Sequence, residues 1–528
     1  MPPEDSLLPT LRRYWGYESF RPLQQSIVRS LLENHDTCVV MPTGGGKSLC
    51  YQLPAAMLPQ KTVIVVSPLI SLMQDQVAQL DQMGIPSALL NSSLPADKQT
   101  LIMRKAHAGA YRLLYLSPER LSRPETLDWL QRVPVSFFAI DEAHCISEWG
   151  HEFRPEYRQL SRLRLHFPDH PIAAFTASAT QRVRHDIIAQ LQLHNAHRYI
   201  ASFYRNNLRY IVRQCDAHTQ PAMLLAALRK YQGSNVIIYA PTISLVGKTV
   251  NFLAGEGIPA IPYHGQMDSV TRRRNQEAWM SDEVPVLVGT VAFGLGINKS
   301  AVRAVIHLSM PKSIEQYYQE AGRAGRDGEP ADCLMLWQKR DVGLLTHFIE
   351  QVTDPAERQR SWQRYHGIRG FVESSRCRHL QICTHFGETP KWTTCKACDV
   401  CGCETDWLQP AKPTKAARSK AGRVTRPARS PAPGAKPKKE APAAILGPLP
   451  NRESELREYL RRWRRATARE TNLPAFLIML DTTLHDLSRK QPRNLADLLK
   501  VSGIGERKCE QYGPQILKAL KDFETSRR

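Results

Sequence analysis

Short apolar runs at positions 38–41, 63–66, 137–140 and 172–175 alternate with longer stretches in which apolar residues recur at helical spacing. Uninterrupted runs rich in β-branched and aromatic residues predict strands buried on both faces. Helix-length spacers between them predict a parallel sheet covered by helices. The pattern starts again at 236–239, 284–288, 304–308 and 333–336. The expected fold class is α/β, with two parallel-sheet domains in tandem and a cleft between them.

After about residue 340 the periodicity changes. Residues 341–406 carry clustered cysteines, whereas 411–440 hold ten Lys or Arg, one acidic residue and Val424 as their one large apolar side chain. Such a stretch cannot bury enough surface to offset its ordering entropy and reads as a disordered linker. From 451 onward helical spacing returns. Leu456, Tyr459, Leu460 and Trp463 share a face, Pro474 stands where a helix can begin, and Asn494 with Asp497 reads as a capping pair ahead of Leu498 and Leu499. The expected boundaries are 1–207 and 208–340 for the α/β domains, 341–406 for the cysteine-rich segment, 407–450 for the linker and 451–528 for a small helical bundle.

The 528 residues exceed what one core sustains, in keeping with several domains. A formal net charge of +21 points to a polyanionic partner, nucleic acid before any acidic small molecule. The basic linker then serves either as a solvated spacer or as a non-specific grip on DNA. No apolar run approaches the roughly 20 residues that span a bilayer, and the N-terminus lacks a secretory pattern, so the expected setting is the cytoplasm, at the chromosome, with no membrane partner. Of the 12 cysteines, six lie between Cys377 and Cys403, a clustering that suits a metal better than a disulfide framework.

Pro42-Thr43-Gly44-Gly45-Gly46-Lys47-Ser48 follows the first strand and opens a helix. Glycines let successive backbone N–H groups close around phosphates, and the helix N-terminus adds a favourable dipole. Lys47 can neutralise β/γ charge, and the Ser48 hydroxyl can hold Mg2+. Met41 stands where the strict phosphate-loop pattern has glycine. After the run at 137–140, Asp141 can bind Mg2+ and Glu142 can orient or deprotonate an attacking water. In the second domain, Gln319-Glu320-Ala321-Gly322-Arg323-Ala324-Gly325-Arg326-Asp327-Gly328 sets two arginines three apart, expected on one helical face. Arg326, with Arg323 beside it, could then reach a transferring phosphoryl group across the cleft. Cys377, Cys395, Cys398 and Cys401 supply four thiolates for structural Zn2+, with Cys403 a rival to Cys401, Cys383 spare and an iron–sulfur cluster the alternative occupant.

The order Thr43-Gly44-Gly45-Gly46-Lys47-Ser48, Asp141-Glu142-Ala143-His144, Thr290-Val291-Ala292-Phe293-Gly294-Leu295-Gly296-Ile297-Asn298-Lys299 and Gly322-Arg323-Ala324-Gly325-Arg326 resembles the superfamily 2 helicase core of the RecQ type, over about 14–401. The resemblance implies two RecA-like domains and an ATP-dependent 3′-to-5′ DNA helicase serving recombination, repair and replication. It implies that Tyr17, Arg21 and Gln24 recognise adenine. It implies that the aromatic-rich loop 145–155, with Trp149, Phe153 and Arg154, couples DNA to the ATPase, and that Ser67 and Ser117 contact the DNA backbone. Thr176-Ala177-Ser178-Ala179 departs from the family's more frequent Thr-Ala-Thr-Ala but keeps the hydroxyl. The resemblance also favours Cys401 over Cys403 and makes the final bundle HRDC-like, where the turn Val501-Ser502-Gly503-Ile504-Gly505 either offers N–H groups to a phosphate or simply ends a helix. A winged-helix domain commonly follows the zinc segment in this family, whereas here only the basic linker lies between Cys403 and Asn451. Strand opening is therefore expected to use another wedge or to be weak.

The expected cofactors are ATP, Mg2+ and Zn2+. The expected partners of this monomer are single-stranded and tailed or branched duplex DNA, with a single-strand-binding protein or recombination factors beside them. Competing readings are a DNA translocase or remodeller with little strand separation, an RNA helicase, and a non-catalytic DNA-binding scaffold. Lys47, Asp141, Glu142 and Arg326 together count against the scaffold.

Overall fold

The computed structural model describes residues 6–91, 94–293, 299–408, 452–471 and 473–526. Strands β1 (Thr37–Val40), β2 (Thr62–Val66), β3 (Ser87–Leu90), β4 (Leu113–Leu116), β5 (Val135–Ile140), β6 (Ile172–Thr176) and β7 (His197–Ile200) form one sheet in the order β3-β4-β2-β5-β6-β1-β7. Every pairing in it is parallel. Strands β8 (Leu208–Cys215), β9 (Asn235–Tyr239), β10 (Ala260–Tyr263), β11 (Val286–Gly289), β12 (Val302–His307) and β13 (Ala331–Gln338) form a second parallel sheet, β10-β11-β9-β12-β13-β8. The run at 284–288 becomes a strand only from Val286, because Pro285 has no N–H to give to a ladder.

Successive residues of the central strands serve different cores. Val39, Val63, Val65, Tyr115 and Phe137 enter a cluster with the first helices. Val40, Ile64, Val66, Leu116 and Phe138 enter one that continues through the second domain into the cysteine-rich segment. Burial on both faces is why these strands read as unbroken apolar runs.

The C-terminal bundle comprises helices Arg452–Glu470, Ala475–Ile478, Asp481–Lys490, Leu495–Leu498 and Glu506–Thr525 around Leu456, Leu460, Leu484, Leu487 and Ile516. Asn494 caps its helix by accepting from the Asp497 N–H at 2.8 Å. The bundle rests on both sheet domains: Glu506 pairs with Arg13 at 3.4 Å, and Arg464, held within the bundle by Asp481 at 2.9 Å, pairs with Asp282 at 3.4 Å. The linker expected at 407–450 lies, from 409 on, outside the described residues, as do 294–298. Among the described residues no helix is long and apolar enough to cross a membrane.

Candidate nucleotide cleft and zinc centre

The loop after β1 runs into the helix Lys47–Met57 at the carboxyl end of the first sheet, where open parallel sheets place their ligands. Gly46 has φ +83°, and a Cβ there would lie 2.4 Å from Gln24 Nε2, so glycine alone lets the loop close over Gln24. Gln24 donates to the Gly45 and Gly46 carbonyls at 3.4 and 3.2 Å and accepts from the Arg21 N–H at 2.8 Å. The Arg21 guanidinium donates to the Gly44 carbonyl. Arg21 and Gln24 thus buttress the loop itself. Tyr17 lies beside Arg21, its hydroxyl pKa pushed up by burial.

Lys47 makes no ion pair among the described residues and donates to the Met41 carbonyl at 3.2 Å. Burial pushes its pKa down, against the pull of the Glu142 and Asp141 carboxylates and with a further push from Arg326. Asp141 follows β5 directly: its N–H donates to the Val66 carbonyl at 2.8 Å, and the Tyr157 hydroxyl donates to its carbonyl at 2.9 Å. Glu142 sits in the left-handed region, φ +47°. Burial raises both carboxyls, Glu142 to about 7, with Asp141 the second cause. Neighbouring carboxyls and an ammonium all pushed toward neutrality form a site that a divalent cation and a polyphosphate would fit, since each supplies the missing counter-charge. Ser48, at the start of the same helix, is hydrogen-bonded with Tyr51.

The second domain brings Arg323 and Arg326 to this cleft, but not on a helical face. Helix Ile314–Ala321 stops at Ala321, and consecutive turns follow. Gly325 has φ +55°, and a Cβ there would stand 2.5 Å from Asn207 Nδ2, so the turn between the two arginines is one that glycine suits. Arg326 Cγ lies 3.3 Å from where a Cβ on Gly44 would sit, which puts this side chain across the cleft on the phosphate loop. Burial lowers the Arg326 pKa to about 9, helped by Arg323 and Arg205. Arg323 is buried, and its Nε has no hydrogen-bond partner among the described residues.

Two further contacts cross or border the cleft. Gln319 donates to the Ser178 hydroxyl at 2.8 Å, a use of the retained hydroxyl in Thr176-Ala177-Ser178-Ala179. His144 Nδ1 faces the Thr176 hydroxyl at 3.0 Å and a Glu142 oxygen at 3.3 Å. Gln319 was not singled out from sequence, nor was Arg205, whose guanidinium reaches the Thr43 and Gly325 carbonyls. Gln319 lies in the very motif that carries the arginines; Arg205 belongs to no motif.

In the aromatic-rich loop, Arg182 stacks on Trp149 with its guanidinium carbon 3.0 Å from the ring centroid, and Arg360 lies at 5.6 Å. Arg158 lies over Phe153 at 5.5 Å, and Arg154 donates to the Pro68 carbonyl at 3.4 Å. Ser67 and Ser117 stand at strand ends, both buried; Ser117 caps the helix Pro118–Leu121 by accepting from the Arg120 N–H.

The ligand atoms of Cys377, Cys395, Cys398 and Cys401 all lie within 4.8 Å of one another. Tetrahedral thiolates around zinc sit about 3.8 Å apart, so this set fits a structural Zn2+. Backbone N–H groups of Arg378 and Ala397 point at Cys398 and Cys395 at 3.5 and 3.3 Å, the kind of support that holds ligating sulfurs. Cys403 lies outside the set, against the core of the second domain.

Four family models match the chain in order: DEAD/DEAH box helicase at 21–187, Helicase conserved C-terminal domain at 219–328, RecQ zinc-binding at 339–402 and HRDC domain at 453–520. The ATP-dependent DNA helicase RecQ of Bacillus subtilis is 32% identical over 585 residues, covering 97% of this chain and 98% of that protein. The Haemophilus influenzae protein of the same name is 42% identical over 394 residues, 75% of this chain but only 63% of the relative. That match, like one to a Pasteurella multocida relative, spans less than two thirds of the relative's length. Among solved structures, the DEAD-box helicase Mss116 bound to ssRNA and UDP-BeF aligns with a TM-score of 0.51 at 17% identity over 63% of this chain and 73% of that one. Mss116p bound to ssRNA and AMP-PNP aligns at 0.53, also at 17% identity, over 73% and 88%. At that identity the likeness speaks for the shared fold alone. With the paired parallel sheets, the four-cysteine centre and a relative matched almost end to end, this chain belongs to the RecQ family of helicases.

Proposed function

We propose that the chain is an ATP-dependent DNA helicase that moves 3′ to 5′ along single-stranded DNA and separates duplexes during recombination, repair and replication, acting as a monomer on tailed or branched DNA. The observation that carries this reading is the meeting of Lys47, Asp141 and Glu142 of the first domain with Arg326 of the second in one cleft. Lys47 holds phosphate charge, Asp141 and Ser48 hold Mg2+, Glu142 takes the proton of the attacking water, and Arg326, with Arg323 beside it, stabilises the charge that develops on the transferring group. Magnesium supplies charge neutralisation at the phosphates. Because Arg326 belongs to the other domain, the closed cleft is tied to the nucleotide state, and hydrolysis releases it. The working division is 1–207 and 208–340 for the motor domains, 341–406 for the zinc segment and 451–528 for the HRDC domain. Tyr17, Arg21 and Gln24 select adenine.

Glu142 must be ionised to accept a proton. Its raised pKa makes kcat/KM for ATP, which reports the free enzyme, climb with pH through about 7. The same shift favours the neutral form in the fold, so this group's contribution to stability is present below the ordinary carboxylate pKa and lost as pH rises through about 7. A kcat/KM flat from mildly acid to neutral pH would remove Glu142 from the role.

DNA bases and Arg182 would compete for the Trp149 ring, which gives strand binding a route to the Asp141–His144 segment just upstream. Trp149→Ala is expected to cut single-strand stimulation of ATP hydrolysis by about 10-fold, within the range of one lost base–aromatic stack, and to leave the DNA-free rate unchanged. Steady-state ATPase with and without oligonucleotide reads both. Wild type that hydrolyses ATP no faster with DNA than without would count against the motor reading altogether.

A further inference from the structure

We infer that Arg205 is a positioning residue for the nucleotide cleft, held in place by the zinc segment through His379; the inference rests on the ATPase reading above. Arg205 lies in the connection between β7 and β8, outside both sheets. One of its terminal nitrogens donates to the Thr43 carbonyl of the phosphate loop at 3.2 Å. The other donates across the cleft to the Gly325 and Ala324 carbonyls at 2.9 and 3.3 Å, in the turn that carries Arg323 and Arg326. Asn207 seconds it, donating to the Gly325 and Glu329 carbonyls at 2.7 and 2.9 Å. One planar fork therefore ties the loop that would hold the phosphates to the turn that presents Arg326, and a planar guanidinium with donors on both sides is suited to that task.

Arg205 is fixed from behind. His379 Nε2 donates to the Arg205 carbonyl at 3.2 Å, while its Nδ1 lies 3.2 Å from Cys395 Sγ, in the four-cysteine set. The ring is packed edge-on against Tyr204 and Tyr210 at 4.9 and 4.8 Å. Two more ties hold the same connection: Phe203 stacks on Phe386 at 4.2 Å, and Glu388 accepts from the Ser202 hydroxyl at 2.7 Å and the Phe203 N–H at 3.0 Å. The zinc segment thus grips residues 202–205, and the guanidinium that emerges from this grip spans the cleft. The zinc segment thereby serves closure of the nucleotide site as well as its own fold.

Phosphate binding by the first domain does not need Arg205, whereas alignment of Arg326 does. Arg205→Ala is expected to lower kcat for DNA-stimulated ATP hydrolysis about 10-fold or more, with KM and the affinity for a fluorescent ATP analogue changed less than about 3-fold. Arg205→Lys, whose single ammonium can reach one side of the cleft, should recover part of that loss. His379→Phe keeps the ring between the tyrosines and removes both polar contacts. It should retain one zinc per chain, lower kcat in the same direction, and add nothing when combined with Arg205→Ala, because both act through one contact. ATPase kinetics, analogue titration and zinc content on the same full-length preparations decide the matter. Arg205→Ala with wild-type kcat would overturn the inference while leaving the motor reading standing, whereas an inactive wild type would sink that reading first. A His379→Phe protein that loses zinc, or whose effect multiplies with that of Arg205→Ala, would overturn the link to the zinc segment.

Discussion

Lys47→Met is expected to lower kcat for ATP hydrolysis by about 100- to 1000-fold, the loss that follows removal of one preorganised group facing transition-state charge. The methionine keeps the stem's volume at the start of the helix Lys47–Met57, so no cavity follows. What disappears is the ammonium. Without nucleotide that ammonium gains little in the fold: it touches the Met41 carbonyl, makes no ion pair among the described residues, and burial already pushes its pKa down. The substitution should therefore leave the nucleotide-free melting temperature unchanged or slightly higher, while abolishing the rise in Tm that a non-hydrolysable ATP analogue gives wild type. A variant that melts early and is inactive would be merely misfolded. One that folds normally and still hydrolyses ATP would place the phosphate site elsewhere.

Loss of zinc has the second largest expected effect. Cys398→Ala, or exhaustive chelation, should destabilise the motor on the order of 5 kcal/mol, well below the roughly 10 to 16 kcal/mol of a metal that folds a whole zinc finger. The reason is that the segment joins the core: Cys377, Ile382, Cys383, Phe386 and Cys398 belong to the cluster that runs from the first sheet through the second domain into this segment. It also covers an edge of the second sheet, where Asp399 donates its N–H to the Tyr210 carbonyl of β8 at 3.0 Å and pairs with Arg378 at 3.0 Å and Arg213 at 3.3 Å. The expected result is zinc content near zero, a Tm lower by about 10 °C or more, and new proteolytic cuts between Cys377 and Cys403. Zinc measurement, a thermal scan and limited proteolysis check it. Equal stability with and without the metal would show that packing alone holds the segment.

Much of this was legible in the chain because it depends on local chemistry. Strands buried on both faces announce themselves as apolar runs, and a loop that must wrap phosphates needs glycines, a lysine and a hydroxyl at fixed spacing. Strands β3, β7, β8 and β10 were less legible: they lie at sheet edges with side chains exposed in part, so the demand for apolar residues falls on them only in part, and the buried run of β4, Leu113–Leu116, was not among the strands expected. Arg323 and Arg326 were found by type and spacing, yet the helical face expected for them gave way to turns, one of which needs the positive φ of Gly325 between them. Spacing left the fourth zinc ligand open between Cys401 and Cys403; the family resemblance favoured Cys401, and the folded chain agrees, with Cys401 in the cluster and Cys403 packed on the second domain. Arg205 and His379 had no signal at all. Their contacts join residues more than a hundred positions apart, through backbone carbonyls that carry no sequence signature.

The central claim, that nucleotide chemistry in this cleft separates DNA strands, is tested most directly by ATP-dependent unwinding of 3′-tailed and 5′-tailed duplexes by the full chain. Single-strand-stimulated hydrolysis is measured in parallel, with Lys47→Met as the control. The account predicts that wild type opens the 3′-tailed duplex, that it does so only with ATP, and that Lys47→Met neither hydrolyses nor unwinds. Robust DNA-stimulated hydrolysis without strand separation on either substrate would contradict it, and the chain would then be a translocase on DNA.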